Sequence, residues 1–360
     1  MTILQNTRIC GRNFSLTKKG LHFYQKHAKV NPRCLVSTVD FSFSEMVIPN
    51  FPYNICFQLH MNYQEFLTTI RTQLLLRMEA DVTLDIRSFT KNNGTHYDGL
   101  VLLHPKKNVS PAIYLMPYYH RYLKGVCLEE ICEDILHTYQ THTPEENFDT
   151  SCFTDFSRAS EHIVMRLVSF EKNQELLKEI PFFRYQDLAV IFYCLLHAST
   201  ENQANILIHN HHLDLWKTDK EALCQLAHKN TPKLLPPQLT PMHSLLKEKA
   251  LSPETPLPEA MPPLYILTNT YQTNGATVLL YDNLLKELSD LFEKDLIILP
   301  SSIHEVLILP ADENDRKNLS HYTAMVKEVN ASQLQDDEIL SDHAYYYCRH
   351  SHLFTMPNPV

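Results

Sequence analysis

Glycine is scarce in this sequence, with six residues among 360. Loops that wrap a pyrophosphate or a triphosphate need closely spaced glycines, because only a backbone without Cβ atoms can approach the phosphates and turn tightly around them. The six glycines build neither a G-x-G-x-x-G pattern nor a Walker-type loop; they are Gly11, Gly20, Gly94, Gly99, Gly125 and Gly275. The usual phosphate cradles are therefore excluded.

Long apolar runs and paired cysteines are also missing. No run approaches the roughly 20 apolar residues of a membrane-spanning helix, and the first 20 residues lack the apolar segment of a secretory signal. The nine cysteines are scattered without a Cys-x-x-Cys pair, so we expect reduced thiols rather than a disulfide framework. These absences predict a cytoplasmic protein.

Acidic residues outnumber basic ones outside the N-terminal segment. The chain has a net charge of -9, although residues 1–60 carry seven Lys or Arg against two acidic residues. Because binding to phosphates requires a basic surface, the acidic body argues against nucleic acid and anionic membranes as partners. A hydrophobic content of 44% is still enough for a real core in two or three modules.

The pattern of residues 61–140 predicts an α+β unit. Apolar residues at helical spacing begin at Tyr63 and continue to Leu74, and residues 82–87 alternate as a half-buried strand does. The sequence Asn92-Asn93-Gly94 predicts a hairpin turn to a return strand at 97–104. A turn at 108–111, a short apolar run at 112–115 and two helices follow, the first with Pro117 in its opening turn and the second from residue 128.

The middle of the chain is patterned less regularly. We expect weak helix at 156–178, a central strand at 188–196, a second strand at 204–209 and a helix that begins after Thr218. The sequence Asn230-Thr231-Pro232 predicts the end of that helix. Residues 232–263 hold nine of the 21 prolines, so they are expected to form a linker or surface loop.

Residues 265–310 have the clearest pattern. They predict a strand, a turn at Asn274-Gly275, a second strand, an amphipathic helix whose buried face runs from Tyr281 to Phe292, and two further strands joined by a turn. Another helix is expected near 319–329, and the three tyrosines from Tyr345 are expected to form a last edge strand.

The predicted fold class is therefore α+β, with mixed, largely antiparallel sheets and amphipathic helices packed on them in two or three modules. The expected divisions are a basic appended segment at 1–60, an α+β module at 61–145, a strand-strand-helix module at 146–231, the proline-rich linker at 232–263, a C-terminal α/β module at 264–348 that packs with 146–231, and a tail at 349–360.

Several sequence blocks resemble a known family. They are KNNGTHYDGL, NVSPAIYLMPYY, LEEICEDIL, YQDLAV, YILTN, NGATVLLY, LPSSIHEVLILP and LSDHAYYY. The chain is similar, over about residues 61–348, to an uncharacterised domain-of-unknown-function family of anaerobic Gram-positive (Clostridia-type) bacteria. The resemblance implies an intracellular bacterial protein, and it implies no activity, cofactor or catalytic residue.

The main polar cluster lies between the two last predicted strands of the 265–310 stretch. Pro300 cannot donate to a ladder, so the chain is expected to reverse there and to place its serines at a sheet end, beside the loop 268–275. The candidate ligand-contacting residues are Asn269, Asn274, Gly275, Ser301, Ser302, His304 and Glu305.

The same cluster admits a catalytic interpretation. A serine with a nearby histidine can act as nucleophile and base, so a hydrolase using residues around Ser301, Ser302 and His304 is the alternative function. No G-x-S-x-G elbow is present, and Ile308 occupies the second histidine position of an H-E-x-x-H motif that begins at His304. A turn whose hydroxyls only satisfy backbone groups is the favoured interpretation of the cluster.

Two further groups are weaker candidates. The hairpin around Asn93 brings together polar residues that can bind a ligand or only form the turn; they are Lys91, Asn93, His96 and Asp98. His209 and His211 are expected to share a strand face beside His212, where two imidazoles can begin a metal site, but no further ligands accompany them at characteristic spacing.

The sequence thus favours a non-enzymatic cytoplasmic module that binds a protein or small-molecule partner, without a cofactor or metal and without nucleic acid or membrane contact. The sequence contains no paired carboxylates, no metal-ligand spacing and no phosphate loop. Binding is therefore favoured over hydrolysis.

The first prediction concerns residues 1–60. Because the helical stripe begins just after Met61, a chain that starts at Met61 is expected to fold with an unchanged cooperative thermal transition. Thermal unfolding of the truncated and full-length chains measures this. Aggregation of the truncated chain would show that residues 1–60 belong to the folded unit.

Overall fold

The computed structural model describes residues 2–4, 61–78, 81–144, 147, 155–198, 203–249 and 263–356. They form three sheets packed with helices, and all strand pairs are antiparallel except one. The predicted α+β class is confirmed. Within the segment 1–60, the structure describes β1 (Thr2–Leu4), which pairs in parallel with a strand of the first sheet, and the rest lies outside the described residues.

The N-terminal module consists of one sheet covered by three helices. Its elements are α1 (Tyr63–Leu75), β2 (Thr83–Thr90), β3 (His96–Leu103), β4 (Val109–Tyr114), α2 (Met116–Leu123) and α3 (Leu128–His142). The strand order is β1-β4-β3-β2. The stripe predicted for α1 is buried, and Asn62 caps the helix by accepting the N–H of Glu65 at 3.0 Å. β4 begins at Val109, inside the stretch expected to be a turn, because three of its side chains pack in the core.

The β2–β3 hairpin is confirmed at its predicted turn. Asn93 and Gly94 adopt φ angles of 60° and 67°, the left-handed conformation that Asn and Gly tolerate best. Gly99 on β3 is required for another reason, since an added Cβ atom would lie 2.6 Å from the ring of Phe89.

The middle module is built around one long strand. Its elements are α4 (Phe156–Ala159), β5 (Ile163–Ser169), α5 (Gln174–Leu177), β6 (Phe182–Tyr185), β7 (Leu188–Ala198), β8 (Gln203–Leu207), α6 (Asn210–Trp216) and α7 (Lys220–Leu234). β5 pairs with one edge of β7, and β6 and β8 share the other edge. The predicted central strand is therefore confirmed.

Two sequence expectations for this module are wrong. Residues 163–169 form β5 instead of weak helix, because a strand buried on both faces shows no alternation of apolar and polar residues. The predicted strand 204–209 ends at Leu207, and α6 begins at Asn210. His209 and His211 consequently do not share a strand face.

The predicted stop at Asn230-Thr231-Pro232 is also wrong, since α7 continues to Leu234. Tertiary hydrogen bonds hold its last turns. The Asn230 side-chain amide donates to the Ser160 carbonyl at 2.7 Å, and the Thr231 hydroxyl donates to Ala227 at 2.6 Å while accepting the N–H of Met165 at 3.0 Å. The helix thus retains Pro232 close to its end.

The C-terminal module carries the largest sheet. Its elements are β9 (Pro237–Pro241), α8 (Met242–Lys249), β10 (Tyr265–Asn269), α9 (Leu284–Phe292), β11 (Asp295–Ser302), β12 (Glu305–Ala311), α10 (Glu313–Lys317), α11 (Leu319–Gln333), β13 (Tyr345–Tyr347) and β14 (Phe354–Thr355). The antiparallel order is β14-β13-β11-β12-β10-β9.

Three features of this module differ from the expectation. Within the proline-rich stretch 232–263, β9 and α8 are regular elements, and β9 tolerates its prolines because an edge strand needs ladder bonds on one side only. The expected second strand is a 3-10 helix at Gly275–Leu280, and Leu291 of α9 is 69% exposed. β13 is an interior strand, because β14 pairs with its outer side.

The middle and C-terminal modules share the largest hydrophobic core. Leu167 and Phe192 of the middle sheet belong to one buried cluster with Ile298, Ile308 and Tyr345 of the C-terminal sheet. The N-terminal module has a separate core, which lies between its sheet and helices α1 and α3.

The second prediction concerns Thr231, which is fully buried. Thr231→Val keeps the shape of the side chain but leaves the buried N–H of Met165 without its acceptor, so we expect a loss of roughly 1–3 kcal/mol in the free energy of unfolding. Urea denaturation measures the change. The exposed Thr68→Val is the matched control, because its hydroxyl also bonds a carbonyl four residues earlier, and an equal loss in both variants would contradict the assigned role.

Candidate functional site

The predicted reversal after Pro300 is confirmed as a tight hairpin. β11 and β12 pair from Asp295↔Ala311 to Ser302↔Glu305, which leaves Ile303 and His304 as the turn. The Ser302 hydroxyl accepts the backbone N–H of His304 at 3.0 Å, and the Ser301 hydroxyl donates to Glu305 at 3.3 Å. The hairpin tip is thus closed by hydrogen bonds of its own side chains.

The loop 268–275 lies against this tip. The Thr268 hydroxyl donates to the His304 carbonyl at 2.7 Å, and the backbone N–H of Asn274 donates to Nδ1 of His304 at 3.0 Å. Asn269 organises the loop, because its Oδ1 accepts the N–H of Tyr271 at 3.0 Å and its Nδ2 donates to the carbonyl of Thr273 at 2.9 Å. The structure therefore brings the main candidate group together.

Gly275 makes this approach possible. A Cβ atom at this position would lie 2.5 Å from the His304 carbonyl oxygen and 2.8 Å from the backbone nitrogen of Asn269, and closer still to the hydroxyl of Thr268. Any side chain would push the loop away from the tip. Gly275 is thus a packing requirement, which accounts for its position in an otherwise glycine-poor chain.

A small cavity lies on the inner side of the loop. It is lined by polar and apolar groups that include Asn274, Arg166, Tyr193 and Asn205. Its volume is about 10 Å³, close to the room for a single water molecule. The Arg166 guanidinium lies 3.8 Å from the centre of the Tyr193 ring, and burial lowers the pKa of Arg166 while Tyr193 opposes the shift.

The weaker candidates around Asn93 form a contact between modules. The Asn93 side-chain amide donates to the carbonyls of Asp336 and Ile339 at 2.7 and 2.8 Å, and its backbone N–H donates to Asn173 at 2.9 Å. The Asn92 amide donates to the carbonyl of Asp337 at 2.9 Å. The hairpin turn therefore fastens the N-terminal module to the other two.

Lys91 lies beside this contact. Its ammonium is 4.5 Å from the centre of the Tyr114 ring, and burial lowers the pKa of Lys91 to about 8, with Asp337 opposing the shift and Arg166 adding to it. His96 is exposed and its Nδ1 is 3.2 Å from the hydroxyl of Thr90. The backbone carbonyl of Asp98 accepts the N–H of Leu115 at 3.0 Å.

The two candidate regions are hydrogen-bonded to the same turn, residues 336–339. The carbonyls of Asp336 and Asp337 accept the side-chain amides of Asn93 and Asn92, and the Glu338 carbonyl accepts the N–H of Ile303 at 2.9 Å. Together with the bond from Asn93 to Asn173, these hydrogen bonds connect all three modules, so the residues that make them stabilise the packing of the modules.

A second polar cluster was not predicted. Asp187, in the β6–β7 turn, accepts hydrogen bonds from the hydroxyls of Ser341 and Tyr345 at 2.6 and 2.8 Å, and Nδ1 of His343 lies at 3.2 Å. Ser341, His343 and Tyr345 all contact the Asp187 carboxylate directly. In a catalytic triad the imidazole lies between the serine and the acid, and here it does not. The blocks YQDLAV and LSDHAYYY contain these residues, but nothing in their sequence links the two blocks.

The three histidines lie at the start of α6. The backbone N–H of His209 donates to Nδ1 of His212 at 2.8 Å, and the rings of His211 and His212 are 3.9 Å apart between centres. Burial lowers the pKa of His212 to about 4, and His211 and His209 add to the shift. Among the described residues, no group of three or more His, Cys, Asp or Glu side chains has the geometry to hold a metal ion.

An open depression of about 500 Å³ lies on the N-terminal module, and none of the predicted site residues lines it. Its polar lining includes Asp81, Thr83, His104, Lys106, Lys107, Asn108 and Asn147. Asn147 shapes its wall, because its Oδ1 accepts the N–H of Asn108 at 3.0 Å and its Nδ2 donates to the carbonyl of Lys106 at 3.1 Å.

Comparisons with known proteins identify one family. The sequence profile of a family of unknown function, DUF5688, matches residues 63–349. No curated protein matches the chain, and no solved structure matches it either. Across the part of the chain that the structure describes, no helix has the length and apolar character to cross a membrane.

The third prediction concerns His212. Because its folded pKa is lowered, the unfolded chain binds more protons between about pH 4 and pH 6.5, so the contribution of His212 is complete above pH 6.5 and is lost as the pH falls towards 4. Urea midpoints of the wild type and of His212→Gln from pH 4 to pH 8 are expected to converge at the acidic end.

The matched control is the exposed His120→Gln, which is expected to change the urea midpoint little. A constant difference for His212→Gln would contradict the assignment.

Proposed function

We propose that the chain, which belongs to the DUF5688 family of unknown function, is a non-enzymatic binding or interaction module. The observation that carries the proposal is the use of the two side chains with catalytic potential. The Ser302 hydroxyl and Nδ1 of His304 each accept a backbone N–H, from His304 and Asn274 respectively. Ser302 therefore stabilises the hairpin turn, and His304 holds the loop 268–275 against it.

The hydrolase alternative requires a different arrangement. A serine nucleophile is activated when its hydroxyl donates to a base, and the base needs a lone pair on the nitrogen that faces the serine. Ser302 is 6% exposed and acts as an acceptor for the turn, so an attack on a substrate would first have to open the hairpin tip. Binding by a surface makes no such demand.

The open depression on the N-terminal module offers charged groups to a ligand. It offers two lysines and a histidine beside the amides of Asn108 and Asn147, with Asp81 as the acidic residue of its lining. In a chain of net charge -9, these two lysines favour a partner that presents carboxylates, such as an acidic peptide.

The cellular setting is part of the proposal. The five cysteines within the described residues are free thiols, as expected in a reducing compartment. Together with the sequence resemblance to bacterial proteins, this supports a bacterial cytoplasmic location.

The fourth prediction distinguishes the binding-module hypothesis from the hydrolase hypothesis. Ser302→Ala combined with His304→Ala is expected to lower the free energy of unfolding by roughly 1–3 kcal/mol, because the N–H groups of His304 and Asn274 lose their acceptors. Binding of a fluorescent oligoglutamate peptide, measured by anisotropy per folded molecule, is expected to stay unchanged. Lys106→Glu combined with Lys107→Glu is expected to abolish that binding.

Two controls complete the experiment. The exposed Ser320→Ala is expected to change neither stability nor binding. A fluorophosphonate probe is expected to leave Ser302 unlabelled, and selective labelling at Ser302 would establish the hydrolase instead. Lost peptide binding without lost stability in the Ser302 and His304 variant would move the ligand site to the hairpin tip.

A further inference from the structure

β2 is the outer strand of the N-terminal sheet in the described part of the chain. It runs for eight residues, and an edge strand of this length presents a row of backbone groups to another strand. Its register with β3 is continuous, and the N–H of Lys91 extends it by donating to the carbonyl of Thr95 at 2.7 Å. Because inward and outward residues alternate in an antiparallel ladder, the odd-numbered residues face β3. The backbone groups of Leu84, Ile86 and Ser88 therefore face outward.

The sequence of this edge is complementary to itself when it is reversed about Ile86. Asp85 then stands opposite Arg87 and Leu84 opposite Ser88. We propose that β2 pairs antiparallel with β2 of a second copy of this chain, and that the two Ile86 residues face each other on the two-fold axis.

Charge selects this register. A shift that moves the axis to residue 85 places Asp85 against the Asp85 of the second copy, and a shift to residue 87 places Arg87 against Arg87. Both like-charge pairs are unfavourable, whereas the axis at Ile86 forms two Asp-Arg pairs. Of these three registers with outward backbone groups paired, one alone has complementary charges.

The geometry of the side chains agrees with the pairing. Asp85 and Arg87 contact each other within the chain at 2.5 Å, and their side chains remain 41% and 46% exposed on the same face of β2. In the proposed ladder they occupy the narrow, non-hydrogen-bonded positions, where opposing side chains are closest. Each carboxylate can therefore exchange its intrachain partner for the arginine of the second copy.

Neighbouring pairs add apolar contact. Ile86 is half-buried, so its pairing with the second Ile86 removes apolar surface from water. An edge contact of this size is small, so the dimer is expected to depend on protein concentration. The inference concerns self-association and is independent of the proposed peptide binding.

The experiment reverses the charges one at a time in the full chain. Analytical ultracentrifugation over a concentration series is expected to show a concentration-dependent dimer for the wild type and monomers for Asp85→Arg and for Arg87→Asp. An equimolar mixture of the two variants is expected to dimerise, because two arginines then face two aspartates. The double variant, Asp85→Arg with Arg87→Asp, is expected to recover the dimer.

The mixture of variants distinguishes loss of the contact between chains from damage to the fold of each chain. Both single variants lose the intrachain ion pair, so recovery on mixing can come only from contacts between chains. Glu175→Lys breaks the exposed ion pair with Lys178 and is the matched control, which is expected to dimerise as the wild type does. A wild type with the mass of one chain at every concentration would overturn the proposal, as would single variants that still dimerise or a mixture that stays monomeric.

Discussion

The arrangement of the three modules depends on the backbone carbonyls of residues 336–339. Those of Asp336, Asp337 and Ile339 accept the side-chain amides of Asn92 and Asn93, while that of Glu338 accepts the N–H of Ile303. Each bond contributes roughly 1 kcal/mol net, but a buried group left without its partner costs about 1–3 kcal/mol. One short turn therefore ties the N-terminal sheet to the β11–β12 hairpin.

The same principle holds the middle module to the C-terminal one. The hydroxyl of Thr277 accepts the N–H of Leu167 on β5, and Asp187 accepts the hydroxyl of the buried Tyr345. Burial and the adjacent Asp187 both raise the pKa of Tyr345, so the tyrosine remains a donor at physiological pH. Interior polar groups thus act as ties between elements.

Both proposed contact surfaces belong to the N-terminal module. The depression is lined by Thr83 at the start of β2 and by the loop that follows β3, and the self-pairing edge is β2 itself. This module has its own hydrophobic core, whereas the other two share one. A module with a separate core can present contacts on its outer strand without disturbing the shared core.

Local sequence patterns predicted several elements for identifiable reasons. The α1 stripe, the Asn93-Gly94 turn and the reversal after Pro300 each depend on a short-range constraint: helical periodicity, left-handed backbone or a missing N–H. The pattern failed at β5, where burial on both faces removes alternation. It also failed at Pro232, where hydrogen bonds from a distant strand hold the helix beyond the expected stop.

The sequence by itself determined the α+β class and the main hairpins, because turns and periodicity are encoded by neighbouring residues. Tertiary structure alone decided which distant residues the polar side chains contact. Asn93 meets residues more than 240 positions away, and Asp187 meets Ser341 and Tyr345 across more than 150. Such contacts follow from how the modules pack, and no local pattern specifies them.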